Sequence, residues 1–558
     1  MPKIQLALRA YAGAPQAPVL QSGCYRGLWI ERTRRTNLLD MPAPTPEVFD
    51  RLRALAAIED MSDRPTKDVV EVFTGRPMAT IPVGTVEDVE AAFSKARAAQ
   101  TEWAQRPVRD RIAVIRRYQD LVVKNREFLM DLLQSEAGKA RWAAQEELID
   151  LVANANYYVR VSAELLKPHK AQGLLPAIGK TTVGYQPKGV VGVISPWNYP
   201  MTLTASDSVP ALIAGNAVVL KPDSQTPYCA LACAELLYQA GLPRALYAVV
   251  PGPGSVVGTA ILDRCDYLMF TGSTETGSHL AEQAGRRLIG FSAELGGKNA
   301  MIVARGADLD KVAKAATRAC FSNAGQLCIS IERIYVEKDI ADEFTRKFGE
   351  AVRNMKLGTG YDFSADMGSL IYQGQLETTS RHVEDAKSKG AKVIAGGRAR
   401  PDIGPLFYEP TVLTDVTAEM VCAATETFGP LASIYPVVDV EEAIEKANDT
   451  EYGLNASVWA ASTAEGERIA ARLRAGTVNV DEGYAFAWGS LSAPMGGMGK
   501  SGVGRRHGAE GLLKYTEPQT IATARVLNLD APLGVPPALW QKSLLPIVRM
   551  VMKLPGRK

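Results

Sequence analysis

The chain has 558 residues, length for several domains, and 46% of it is hydrophobic, as in ordinary globular proteins rather than disordered or fibrous ones. A net charge of +2, with no basic stripe carrying interleaved aromatics, removes any electrostatic case for nucleic acid. Seven scattered cysteines without paired spacing, and four histidines with none at ligand spacing from another, argue against a disulfide framework and against a metal site.

A reducing, cytoplasmic compartment follows from that cysteine usage. Residues 1–45 read as an N-terminal extension. Lys3, Arg9, Arg26, Arg32, Arg34 and Arg35 face only Glu31 and Asp40 there, without the compact apolar stretch of a signal peptide. A targeting segment and translation from a codon upstream of Met41 are the two readings, and the second is the simpler. No apolar run reaches the roughly 18 residues of a spanning helix.

Thr85 and Asp88 form a capping-box pattern, and Val86, Val89 and Phe93 repeat on one face, which predicts a helix starting at Thr85. From Val190 the pattern changes to short apolar runs separated by helix-length segments: "VVGVI" (190–194), "AVVL" (217–220), "YAVV" (247–250), "YLMF" (267–270) and "AMIV" (300–303). Continuous apolar strands between helices predict a parallel sheet buried on both faces, with ligands outside the carboxyl ends of its strands. Ser195-Pro196-Trp197-Asn198, Lys221-Pro222-Asp223-Ser224 and Thr271-Gly272-Ser273 follow three of those ends. A second α/β stretch follows Cys328: "RIYVE", a helix around 339–354, "ASIYPVV" (432–438), "LNASVWA" and "GTVNVD". The end of the chain is different again. "LWQKSLLPIVRMVMKL" (539–554) sets Trp540, Leu544, Ile547, Val551 and Leu554 at helical spacing beside basic residues, with Pro546 as a kink or a start. Packing on a neighbouring subunit and weak membrane association are both open readings of that face.

Three polar stretches carry chemistry. In "FTGSTETG" (270–277), Gly272 and Gly277 lie between a strand and a helix, where backbone can approach a pyrophosphate; a plain glycine turn is the alternative. In "ELGGKN" (294–299), Glu294 is either a surface residue before a turn or a general base whose pKa burial has raised. "FSNAGQLCIS" (321–330) puts Cys328 in a loop of hydrogen-bonding groups rather than an apolar run, which suits a thiolate stabilised by donors in an exposed loop.

These stretches, with "PWNYP", "VVLKP", "ETFGP" and "PMGGMGKSGVGR", resemble the aldehyde dehydrogenase superfamily, in family order over roughly residues 60–525. The resemblance implies an α/β protein with a Rossmann-type cofactor domain, an α/β catalytic domain and a small β oligomerisation arm. It places the NAD(P)-binding domain at 46–170 and 188–293, oligomerisation strands at 171–187 and 514–525, the catalytic domain at 294–513 and a tail at 526–558. It implies a homodimer or homotetramer and the oxidation of a small-molecule aldehyde. Cys328 would attack the carbonyl, Asn198 and the Cys328 N–H would hold the oxyanion, and Glu294 would activate the water that hydrolyses the thioester. Trp197, Asn198 and Lys221 would contact the cofactor, with Gly272 and Ser273 at the pyrophosphate, Leu295 at the nicotinamide, and Glu426 and Phe428 at its ribose. NAD-preferring relatives carry Glu three residues after the Lys of "LKP"; here Ser224 stands there, which favours NADP and leaves NAD admissible.

The whole chain is similar to bacterial NADP-dependent succinate-semialdehyde dehydrogenases. A remote carboxylate calls for a cation, yet the two arginines of better-defined members are replaced by Ser206 and Ser322. Tyr484, Phe486 and Trp488 suggest an apolar entrance, and Ser490 is left as a donor to a carboxylate. A longer apolar or aromatic aldehyde is therefore the rival substrate. A catalytically silent, structural or membrane-docking member of the fold is the reading outside enzymes, and retention of Cys328, Glu294 and Asn198 together opposes it.

Overall fold

The computed structural model describes residues 44–173, 179–524, 530–531 and 533–553. The N-terminal extension through residue 43, with Cys24, lies outside the described residues. The helix Val86–Gln105 starts on the capping box expected at Thr85, whose side chain accepts from the Asp88 N–H while Asp88 accepts from the Thr85 N–H.

The apolar runs form two sheets, not one. The first has six strands in the order Gly502–Val503, Gly290–Glu294, Tyr267–Thr271, Val190–Ile194, Ala217–Lys221, Tyr247–Val249. All neighbours are parallel except Gly502–Val503, which runs antiparallel to Gly290–Glu294. Val190–Ile194, Ala217–Lys221 and Tyr267–Thr271 are buried along their whole length. Apolar side chains on both faces demand cover on both faces, and helices such as Val86–Gln105, Thr202–Ala214 and Pro227–Gln239 supply it. The chain moves outward from Val190–Ile194 through Ala217–Lys221 to Tyr247–Val249, then crosses back to Tyr267–Thr271. The strand order therefore reverses between Val190–Ile194 and Tyr267–Thr271, which opens a crevice at their carboxyl ends.

The run "AMIV" belongs elsewhere, and this corrects the expectation of a continuous first sheet. Asn299–Val303 lies inside a seven-stranded sheet ordered Lys392–Ala395, Thr411–Thr414, Leu431–Val437, Ile331–Glu337, Asn299–Val303, Asn455–Trp459, Thr477–Val480. Gly296 and Gly297 carry the chain from the last strand of one sheet to the middle of the other. Periodicity detects a buried strand but carries no information on its partner.

A third sheet pairs Thr516–Ala524 with Gly179–Pro187 and, beyond it, His169–Ala171. Thr516–Ala524 is an edge strand, exposed from its second residue onward. The helix Pro537–Met552 runs through Pro546 without ending there, and Leu539, Leu545 and Met550 are exposed on it. Leu554 of the expected face lies outside the described residues. Among the described residues no helix is long and apolar enough to cross a membrane, and no cluster of three or more metal-ligating side chains occurs.

Candidate active site

The helix Leu309–Phe321, capped by Asp308, ends just before the nucleophile loop. Asn323, Ala324 and Gly325 then follow one another in the left-handed region, with φ of 53°, 55° and 71°. For alanine this backbone costs about 1–2 kcal/mol, so neighbours must hold it. The Asn323 amide donates to the carbonyls of Asn198 (3.0 Å) and Gln326 (3.1 Å). The Gln326 amide donates back to the Asn323 carbonyl (3.0 Å), and its oxygen accepts from the Ile371 N–H (3.0 Å). Glycine is required at 325, where a Cβ would lie 2.1 Å from the Gly429 carbonyl oxygen.

This turn delivers Cys328 into a cluster of apolar side chains that includes Tyr199, Leu203, Leu327, Tyr484 and Met495. Asn299 pins its carbonyl with a 2.8 Å hydrogen bond. The thiol keeps partial solvent access, yet burial, followed by the charge of Glu294, pushes it up to about 12; the Arg506 charge opposes them. The picture of an exposed, donor-stabilised thiolate is thereby corrected. Polar residues of this loop spend their hydrogen bonds on fixing the backbone, and the resting thiol keeps its proton.

Glu294 ends the strand Gly290–Glu294 and is 5% exposed. Burial pushes its pKa up to about 7, held from going further by Arg506 and Lys514. A carboxylate poised there can take a proton near neutral pH. Arg506, bonded to Asp207 at 2.6 Å, and Lys514, pushed down to about 8 by burial, form a charged layer around Glu294 that sequence reasoning missed. The adjacent arginines of "GRRHG" were the available signal, but nothing in the spacing said that Arg506, and not Arg505, points inward.

Asn198 is buried, and its amide spends one donor on the Gln326 carbonyl (3.1 Å), which leaves the second amide proton uncommitted among the described residues. Among the described residues the Cys328 N–H donates to no carbonyl. One donor thus belongs to Cys328 itself and the other is tied to the nucleophile loop two residues before it.

The expected cofactor residues group around the crevice of the first sheet. Trp197 packs edge-on against Phe428 (5.5 Å between centroids) and Tyr372 (5.8 Å). Ser273 caps the helix Thr274–Arg287, whose free N–H groups suit phosphate. Gly272 is needed for packing, since a Cβ there would lie 2.5 Å from the Phe270 ring, and Leu295 covers Gly277 in the same way. Glu426 accepts from the Gly297 N–H (2.9 Å), and burial pushes its carboxyl up to about 8, a setting in which ribose hydroxyls are matching donors. Phe428 is held at φ 52° by the bond from its N–H to Glu332 (3.0 Å). Lys221 is buried against Gly254 and Gly258, donating to the Pro222 carbonyl (2.7 Å); burial lowers its pKa, and the charge of nearby Lys67 lowers it further. Ser224 is half-buried and donates to the Gly252 carbonyl at 3.4 Å. These residues fit a dinucleotide: a helix N-terminus for phosphate, a dry carboxylate for ribose and lysines at the far end.

The three serines expected at the substrate are committed as donors. Ser206 donates to Asp150 (2.6 Å), Ser322 to Glu146 (3.2 Å) and exposed Ser490 to the Phe486 carbonyl (2.7 Å). Tyr484 is buried with its hydroxyl on Glu146 (3.1 Å), Trp488 is half-buried and Phe486 is 77% exposed. The apolar entrance expected from these aromatics is corrected accordingly. Helix Arg141–Leu165 brings Glu146 and Asp150 into it, and Arg318 joins Glu146 at 2.5 Å, so that a cation does stand beside Ser322.

The sequence profile of the aldehyde dehydrogenase family matches residues 59–521. A Mycobacterium tuberculosis protein with the provisional name succinate-semialdehyde dehydrogenase (NADP+) 2 is 83% identical over 518 residues, 93% of this chain and 100% of its own length. The Escherichia coli succinate-semialdehyde dehydrogenase (NADP+) is 34% identical over 81% of this chain and 92% of its own. The crystal structure of succinate-semialdehyde dehydrogenase from Burkholderia pseudomallei superposes with a TM-score of 0.79 at 33% identity, covering 82% of this chain and 95% of that one. The chain belongs to the aldehyde dehydrogenase family.

Proposed function

We propose that this aldehyde dehydrogenase oxidises an aldehyde to a carboxylate with NADP, through a covalent intermediate on Cys328. The observation that carries the reading is the meeting of Cys328, Glu294 and Asn198 where the two large sheets adjoin. A buried thiol near 12 needs a base, and Glu294, near 7, is the carboxylate whose charge bears on it. Once deprotonated, the sulfur attacks the carbonyl carbon. The Asn198 amide and the Cys328 N–H receive the developing oxyanion, a pair whose loss costs about two to three orders of magnitude in rate. Trp197, Lys221, Ser273 and Glu426 would hold the dinucleotide, which would supply the hydride acceptor needed to reach the thioester. Once the thiol's proton has passed from Glu294 to solvent, the carboxylate takes a proton from water, which hydrolyses the thioester, releases the carboxylate product and leaves the Cys328 sulfur as a thiolate.

NADP is favoured over NAD because Ser224 offers no carboxylate to repel a 2′-phosphate and Lys221 has Lys67 nearby. The names of the mycobacterial and Escherichia coli relatives support succinate semialdehyde as substrate. The exposed edge strand Thr516–Ala524 supports a homo-oligomer. The exposed apolar residues of the tail helix support weak docking on a lipid surface.

A steady-state screen of succinate semialdehyde, hexanal and benzaldehyde with NADP and NAD tests the reading through the absorbance of the reduced nucleotide. NADPH formation that disappears in Cys328→Ala is expected. Absence of reduced cofactor with every aldehyde, or full turnover in Cys328→Ala, would sink it.

A further inference from the structure

A cleft of about 500 Å³ opens beside the nucleophile loop, lined by Glu146, Arg318, Ser322, Phe321, Trp142 and Ile149. Its wall is joined to the apolar cluster around Cys328 through one side chain, Glu146. Glu146 accepts from Tyr484, and Tyr484 packs in that cluster with Tyr199. The Tyr199 hydroxyl is buried and has no hydrogen-bond partner among the described residues, with Glu146 and Tyr484 as its largest charged and polar neighbours.

Arg318 is held in one particular way. Its Nε and Nη2 both donate to Oε1 of Glu146, at 3.1 and 2.5 Å, and its guanidinium lies 5.9 Å from the Tyr484 ring centroid. Among the described residues Nη1 donates to no carboxylate or carbonyl, and the Tyr484 hydroxyl is the guanidinium's other polar neighbour. Glu146 also accepts from Ser322 and Tyr484, so its charge is spread over several donors. One edge of the guanidinium is thus anchored, while the side chain as a whole stays 57% exposed on the wall of the cleft. Lys314, one turn earlier on the helix, adds positive charge; Asp366, also on the wall, is occupied by the Lys356 N–H.

Resting on the aldehyde oxidation proposed above, we infer that Arg318, oriented by Glu146, is the specificity residue for an aldehyde bearing a terminal carboxylate. The cleft then leads the aldehyde end past Tyr199 and Tyr484 to Cys328 while Nη1 holds the carboxylate. Ser206 and Ser322 need no cationic replacement under this arrangement, because Ser322 helps hold Glu146 and thereby Arg318. A pre-oriented fork loses little conformational freedom on taking up a carboxylate, whereas half-exposure limits how strong the contact becomes.

The test uses the full chain with NADP. Arg318→Gln should lower kcat/KM for succinate semialdehyde about tenfold or more, chiefly through KM, and change butanal by less than about twofold. Arg318→Lys should recover part of the loss, since the charge returns without the fork. Glutarate semialdehyde reads out which chain length spans the distance. A second measurement needs no variant: succinate should inhibit butanal oxidation by the wild type more strongly than butyrate does. Parallel losses on both aldehydes, an indifferent Arg318→Gln, or equal inhibition by succinate and butyrate would each overturn the assignment. Normal butanal oxidation alongside such a result counts against Arg318 alone. Inactivity of the wild type on every aldehyde takes down the aldehyde reading and this inference together.

Discussion

The two large sheets present opposite ends to the same site. In the six-stranded sheet Ile194, Lys221, Phe270 and Glu294 stand at or next to aligned carboxyl ends, and Trp197, Asn198, Ser224 and Ser273 follow those strands. In the seven-stranded sheet the amino ends face the site: Cys328 precedes Ile331–Glu337, Glu426 precedes Leu431–Val437, and Asn299 and Asn455 open their own strands. Strand carboxyl ends lead into helix N-termini, which attract phosphate, so the first sheet is suited to a dinucleotide. Strand amino ends are reached from helix C-termini, which offer an anion nothing. Cys328 therefore has only its own backbone N–H favouring a thiolate from its own side, and in the proposed mechanism it depends on Glu294 from the other sheet. In the proposed mechanism the chemistry belongs to the junction, and neither half carries it alone.

The sharpest break between the halves is Cys328→Ala. Aldehyde oxidation should vanish while NADP affinity stays within about twofold, because the thiol makes the covalent bond and holds no part of the dinucleotide. Fluorescence titration of NADP beside the activity assay checks both. Lost nucleotide binding would mean that the halves are not separable.

The dependence of one sheet on the other appears in the pH profile. Glu294 must be deprotonated to act, so activity should fall as pH drops through about 7. The Arg506 charge lowers the pKa of both Glu294 and Cys328. Arg506→Met should move the acid limb to higher pH by on the order of one unit, and Arg506→Lys should keep it in place. Leaving Asp207 buried without its partner should also cost Arg506→Met about 3–5 kcal/mol of stability, which a thermal melt would register. An unmoved acid limb in a folded Arg506→Met would remove Arg506 from the site's electrostatics.

Within the first sheet alone, Ser224→Glu should shift preference from NADP toward NAD by roughly ten- to a hundredfold, about 1–3 kcal/mol, without changing the chemistry. Equal use of both cofactors before and after substitution would show that the 2′-phosphate lies elsewhere. The smallest effect belongs to the nucleophile loop. Ala324→Gly relieves a left-handed alanine and should raise stability by about 1 kcal/mol, read as a higher urea midpoint with unchanged slope. A lowered midpoint would show that the loop's hydrogen bonds, rather than backbone preference, set its conformation.

Local patterns were legible without coordinates. The cap at Thr85, the buried strands from Val190 to Thr271 and the placement of Lys221 at a strand end and of Trp197, Asn198 and Ser273 after strand ends all depend on neighbours a few residues apart, where periodicity and turn chemistry act. Pairing of Asn299–Val303 with Ile331–Glu337 and Asn455–Trp459 was not legible, because an apolar run fits either sheet equally well. Motif residues singled out Cys328 as the candidate nucleophile but not how far it is enclosed, since a polar loop looks exposed until its hydrogen bonds are seen turned inward.

Charge was hardest to read. Arg506 meets Asp207 across 299 positions of sequence, and Arg318 meets Glu146 across 172. The sequence by itself determined the residue types, the strands and helices, and the family's motifs in order. Tertiary structure decided which carboxylates are buried, which cations they hold and what pKa each acquires. Those depend on through-space distance and desolvation, and spacing along the chain encodes neither.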